Sequence, residues 1–184
     1  MNKYYTRSGD DGFTALLGKG KVPKYHPRPE ALGAVDEVSA ALGFARAVIQ
    51  DPSLKAILAH IQRDLYLLMA ELAATPENAE KFRSISEQQV KWLEKQIDYY
   101  AEQFPPIEEF ILSGDTLADA ALDLARTAAR RAERKVSALS IYGEIDNEHI
   151  LAFLNRLSSF CFVLECYVIY LDRRIIPTLA KGGK

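Results

Sequence analysis

Three arginines, Arg126, Arg130 and Arg134, recur at four-residue steps in Arg126-Thr-Ala-Ala-Arg-Arg-Ala-Glu-Arg134. On a helix this spacing lines them up on one face, with Glu133 beside them and Arg131 pointing elsewhere. Guanidinium groups stacked this way repel one another and add nothing to helix stability. A multivalent anion relieves the repulsion. Arginine's planar fork binds phosphate oxygens in pairs, so a polyphosphate is the natural occupant. The competing reading is a solvated charged face, balanced by Asp119, Asp123 and Glu133.

A second anion-binding pattern lies near the start, in Thr6-Arg-Ser-Gly-Asp-Asp-Gly12, followed by Thr14, Lys19, Lys21 and Lys24. Glycines let backbone N–H groups approach phosphate closely, and hydroxyls and ammonium groups add contacts. The segment is not a P-loop. Five residues separate Gly12 from Gly18 where the motif needs four, Lys19 is followed by Gly20, and no strand is expected before it. The competing reading is a loose terminus. Three smaller features carry polar or aromatic groups where they could meet a ligand. Asn155 and Arg156 sit beside an apolar stripe in Leu154-Asn-Arg-Leu-Ser158, where the plainer reading is the edge of a core. Asp36-Glu37 follows Gly33, where the plainer reading is surface charge. Phe110 precedes a helix, where an aromatic usually staples the helix to the core. No resident metal site is expected. None of His26, His60 and His149 follows a glutamate at three residues, and no H-E-x-x-H, C-x-x-C or G-x-S-x-G occurs.

These groups need elements to hold them. Residues 1–28 are punctuated by Gly9, Gly12, Gly18, Gly20, Pro23 and Pro27, so they read as an ordered non-helical arm. From Pro29 the pattern turns helical. Helices are expected over about 29–49, 52–74, 86–103, 116–139 and 148–172, with a polar loop over 75–84. Asp51-Pro52, the S-x-x-Q pair Ser86 and Gln89, the pair Thr116 and Asp119, and Asn147 mark their starts. Apolar residues recur at three- and four-residue steps, as in Leu54, Ile57, Leu58, Ile61, Leu65, Leu68 and Leu72. No β-hairpin signal and no alternating strand is apparent. The expected fold class is all-α: a bundle of about five helices over 29–174, behind an arm and followed by a tail over 175–184.

With 184 residues, one domain is expected. Hydrophobic residues at 48% and charged residues at 26% fit a globular chain and exclude a disordered one. The net charge of −2 argues against general coating of nucleic acid or adhesion to anionic membranes. That average hides a local excess. Residues 126–135 hold four arginines and one lysine against one glutamate, a local charge of +4. The first seven residues contain no apolar run, no apolar run approaches the roughly 20 residues of a membrane span, and Cys161 and Cys166 fall on different faces of one helix. A reduced, cytoplasmic setting is the expectation, with no membrane or nucleic-acid partner.

Taken in order, these segments resemble the PduO-type ATP:cob(I)alamin adenosyltransferases. Tyr5-Thr-Arg-Ser-Gly-Asp-Asp-Gly-Phe-Thr14 resembles that family's Y-T-x-T/S-G-D-x-G-x-T opening, and Pro23-Lys24 falls where it has a phosphate-contacting lysine. Glu30-Ala-Leu-Gly-Ala-Val-Asp-Glu37 resembles its E-A-x-G-x-x-D-E stretch. Phe110-Ile-Leu112, Ala125–Arg134 and Leu154–Ser158 complete the match. Two segments depart from the pattern: Ser113-Gly-Asp-Thr116 stands where a P-G-G-like stretch is common, and His26-Pro-Arg-Pro29 is richer in proline.

The resemblance implies a five-helix bundle assembled as a homotrimer, with active sites between subunits. It implies attack of Co(I) of reduced cobalamin on C5′ of ATP, with triphosphate expelled and magnesium accompanying the ATP. It implies that Thr6, Ser8, Gly9, Asp10, Gly12, Thr14 and Lys24 wrap ATP, with Arg7, Asp11 and Phe13 in the same loop. Arg130, Glu133, Arg134 and Asn155, with Arg131 adjacent, complete the site from the neighbour. Arg126 and Asp36 pair across the interface, and Phe110 fills the lower face of the corrin, keeping its dimethylbenzimidazole base away. A Co(II) reductase and a B12-dependent enzyme are the implied partners. Two other readings compete: a carrier or sensor of adenosylcobalamin, and a helical binding module whose basic face docks an acidic partner.

Overall fold

Local chemistry at the helix starts sets the architecture. The structure, a computed structural model, describes residues 4–173 and 177–181. Helix α1, Pro27–Val48, begins two residues before the expected Pro29. His26 caps it, its Nδ1 accepting from the Arg28 N–H at 3.2 Å, and Pro27 occupies a first-turn position that needs no donor. Helix α2, Pro52–Ala73, is capped by Asp51, which accepts from the Ser53 and Leu54 amides at 2.7 and 3.2 Å. A 3₁₀ turn, Pro76–Asn78, and the short helix α3, Ala79–Phe82, occupy the expected polar loop. Helix α4, Glu87–Ala101, starts at the capping box of Ser86 and Gln89, and α5, Leu117–Ile141, at that of Thr116 and Asp119. Helix α6 runs over Glu148–Arg173, and Asn147 Oδ1 accepts from the His149 amide at its start.

The fold is predominantly helical, with five long helices and one short one among the described residues. Helix α5 lies between α1 and α6, α2 packs on α1, and α4 packs on α6. Ala121, Ala125, Ala129 and Ala132 on α5 are fully buried, so small side chains let its neighbours approach closely. Leu42, Leu65, Leu122, Phe153 and Phe160 fill the remaining core. Each such side chain contributes roughly 1.5–3 kcal/mol on burial. Helix α6 is long and apolar enough to cross a membrane by length and composition, which the short apolar runs of the sequence did not suggest. In the fold, 67% of its apolar window is buried against the other helices.

The arm corrects one expectation, because it contains a small hairpin. Strands β1, Phe13–Ala15, and β2, Lys21–Pro23, pair antiparallel with Thr14 opposite Val22. Leu17, in the connecting loop, docks on the end of α2. Its N–H donates to Ala73 O at 2.8 Å, and its carbonyl accepts from the Thr75 N–H at 3.3 Å. Gly18 makes this approach possible, since a Cβ there would fall 1.7 Å from Thr75 Oγ1. Of the tail expected over 175–184, residues 175–176 and 182–184 lie outside the described residues. The rest is ordered against the loop before α5. The Leu112 amide donates to Thr178 O and the Ala180 amide to Phe110 O, both at 2.7 Å, and Asp115 accepts from both the amide and the hydroxyl of Thr178.

Candidate functional site

Arg130 and Arg134 project from the exposed side of α5 as their spacing predicts, and neither has a carboxylate partner among the described residues. They line an open cleft of about 420 Å³ with Glu133, Ser137 and Asn155. Asn155, on the facing side of α6, donates from Nδ2 to Glu133 Oε1 at 3.0 Å and accepts at Oδ1 from Arg156 Nη1 at 2.8 Å. The cleft therefore presents two free guanidinium groups beside an amide held at both ends. That combination suits an anion with several oxygens. The other two arginines of the run are engaged. Arg126 donates from Nε to Asp123 at 2.7 Å, and Arg131 is paired with Glu37 of α1.

One turn and more away along α5, Arg126 lines a second cleft of about 550 Å³, with Phe110, Ile111, Leu112, Asp123, Phe162 and Glu165 among its walls. Phe110 is 85% exposed, so it is not the core staple of the plainer reading. Glu165 is almost fully buried at the cleft's base. Burial, then the Asp123 carboxylate, pushes its pKa up to about 7, against the opposing pull of Arg126. Asp36 is exposed on α1 and has no ion-pair partner among the described residues.

The arm loop folds on itself. Thr6 and Ser8 share a hydroxyl hydrogen bond of 2.8 Å. Lys21 Nζ donates to Ser8 O at 3.1 Å and to Asp11 Oδ2 at 3.3 Å. Asp11 also accepts from the Phe13 amide, and this bond, with Lys21 beside it, lowers the Asp11 pKa. Lys24 lies over Gly9, where a Cβ would meet its Cε and Nζ at 3.2 Å, and the Lys24 amide donates to Gly12 O. Gly12 takes φ 82°, open to glycine, while Arg7 takes φ 62°, which a long side chain seldom adopts. Asp10 and Thr14 complete the loop. No hydrogen bond or ion pair among the described residues joins residues 6–14 or Lys24 to Arg130, Arg134 or Asn155. The α5–α6 cleft is lined by Arg130, Glu133, Arg134, Ser137 and Asn155, with no residue of the arm among them.

Sequence reasoning passed over Glu94, Phe162 and Glu165. They are ordinary helix residues, and only packing brings Phe162 and Glu165 to the Phe110 cleft and Glu94 to Arg156.

The cobalamin adenosyltransferase family model matches residues 4–168. The corrinoid adenosyltransferase PduO of Citrobacter freundii is 42% identical over 162 residues, covering 87% of this chain and 48% of that protein. The chain thus spans about half the length of this relative. The corrinoid adenosyltransferase of Bacillus subtilis (strain 168) is 38% identical over 164 residues, covering 87% of this chain and 83% of that one. Among solved structures, a Phe-to-Ala variant of the PduO-type ATP:corrinoid adenosyltransferase from Lactobacillus reuteri, complexed with cobalamin and ATP, superposes with a TM-score of 0.90. It is 35% identical, and the match covers 98% of this chain and 100% of that one.

Proposed function

The chain belongs to the cobalamin adenosyltransferase family, and we propose that it transfers the 5′-deoxyadenosyl group of ATP to Co(I) of a reduced corrinoid, releasing triphosphate. The observation that carries this reading is the α5–α6 cleft, where two guanidinium groups without a carboxylate partner among the described residues lie beside a clamped Asn155. The Co(I) electron pair becomes the Co–C5′ bond. The C5′–O bond breaks, and its pair leaves on triphosphate. Negative charge grows on the leaving group, and Arg130 and Arg134, with the magnesium that accompanies ATP, stabilise it.

In this reading ATP lies between Thr6, Ser8, Gly9, Asp10, Gly12, Thr14 and Lys24 of one subunit and Arg130, Glu133, Arg134 and Asn155 of the next. Arg7 and Phe13 flank the same loop, and Asp11 shapes it through Lys21. The corrin takes the Phe110 cleft, whose walls combine aromatic and aliphatic groups with carboxyl groups. The assembly is a homotrimer. An α5–α6 cleft lined without any arm residue supports this, as does the exposed seam of α1 and α5. Glu37–Arg131 and Glu30–Lys135 contacts show that these two helices run antiparallel. Exposed Phe44 and Leu124 lie about two turns further along the same seam. On assembly Arg126 would exchange Asp123 for Asp36 of the neighbouring subunit.

Turnover of cob(I)alamin with MgATP, followed by the absorbance change on alkylation, tests the reading. Arg130→Ala should lower the rate by about 10²-fold or more with an unchanged melting temperature. A folded Arg130→Ala variant with full activity would overturn the assignment.

A further inference from the structure

The amide of Asn155 has only one chemically allowed orientation. A guanidinium can only donate and an ionised carboxylate can only accept. Arg156 on one side therefore demands Oδ1, and Glu133 on the other demands Nδ2, as the 2.8 and 3.0 Å contacts record. A flipped amide would set N–H against guanidinium and oxygen against carboxylate. Arg156 is itself held from a third helix. Its Nε donates to Glu94 Oε1 of α4 at 3.0 Å. Glu94, Arg156, Asn155 and Glu133 thus form one relay across α4, α6 and α5, and its far end lies in the cleft with Arg130 and Arg134. Arg156 and Glu94 are both about two-fifths exposed. Their ion pair therefore adds little to stability. Its effect is on orientation: it holds the guanidinium so that one N–H serves Glu94 and another serves Asn155.

We propose that Arg156, held by Glu94, is a positioning residue for ATP, fixing the Asn155 amide so that its remaining Nδ2 hydrogen and Oδ1 lone pair meet the bound nucleotide in one orientation. The inference rests on the adenosyltransferase reading. Neither residue touches the nucleotide. They act through Asn155, so their effects must vanish when Asn155 is removed.

A double-mutant cycle on the full chain tests this. Arg156→Ala should lower kcat/KM for ATP by about 10- to 100-fold, the range of a charge-assisted hydrogen bond, with KM for cob(I)alamin unchanged. Glu94→Gln should lower it by about threefold, as for a half-exposed ion pair. Arg156→Lys should recover only part of the loss, because one ammonium group cannot reproduce the fork. Asn155→Ala combined with Arg156→Ala should be no worse than Asn155→Ala alone. Losses that multiply in the double variant, or an Arg156→Ala variant with wild-type kinetics, would overturn the relay. If Arg156→Ala fails to fold by thermal melt, Glu94→Gln against Asn155→Ala runs the same cycle. Absence of turnover and of MgATP binding in the unaltered chain defeats the adenosyltransferase reading and the relay with it. A positive wild type with a multiplicative cycle defeats the relay alone.

Discussion

Glu165 is the residue whose environment departs most from its ordinary chemistry at the Phe110 cleft. It is 2% exposed. Burial and the Asp123 carboxylate raise its pKa from 4.5 to about 7, with Arg126 opposing and Asp119 adding a smaller push upward. Between those two values the folded chain keeps a proton that the unfolded chain has released. Stability supplied by this group is therefore complete below about pH 4.5 and lost as the pH rises through about 7. Glu165→Gln cannot titrate. Its denaturant-unfolding free energy, taken relative to wild type, should rise between pH 5 and pH 8 and then level off. Parallel pH profiles for the two proteins would show that Glu165 is not held neutral by the fold. The buried thiols of Cys161 and Cys166, pushed up to about 12 by desolvation, stay protonated and take no part in such chemistry.

At the scale of elements, the arm depends on one close approach. The hairpin is held to the bundle where Leu17 pairs with Ala73 and Thr75, and Gly18 leaves room for Thr75. Gly18→Val places a branched side chain where the Thr75 hydroxyl already sits. The arm should then lift from α2 while the bundle stays folded, because its core lies elsewhere. The expected result is a rise in KM for ATP of roughly 10- to 100-fold, faster proteolysis within residues 4–17, and a small change in melting temperature. An unaltered KM for ATP would remove the arm from the nucleotide site. The hairpin was not legible because its strands are three residues long, its loop lacks an Asn-Gly or Asp-Gly pair, and Pro23 closes it. The helix starts were legible, because Asp51, Ser86 and Thr116 cap through bonds to residues two or three positions away.

At the scale of the whole molecule, the α1–α5 seam exposes Phe44 and Leu124, and Asp36, also exposed on α1, has no ion-pair partner among the described residues. Leu124→Glu places a charge on that seam without touching the core. For the proposed trimer, it should shift sedimentation toward monomer and abolish turnover together, since each proposed half-site would lose its complement. A variant that sediments as a trimer, or a monomer that retains turnover, would contradict the shared-site assembly.

The sequence alone determined the helical class, the starts of α2, α4, α5 and α6, and the common face of Arg126, Arg130 and Arg134. Each follows from interactions within a turn or two of chain. Arg126 turned to Asp123 within the same helix, a local pairing, whereas tertiary structure chose the partner of Arg131, Glu37, 94 residues away. It also decided the orientation of Asn155, set between Arg156 next door and Glu133 at a separation of 22 residues, with Glu94 62 residues from Arg156. The physical reason is range. Helical periodicity, capping and pairs such as Asp123–Arg126 act over three or four positions, whereas a partner on another helix is chosen by which helices pack together.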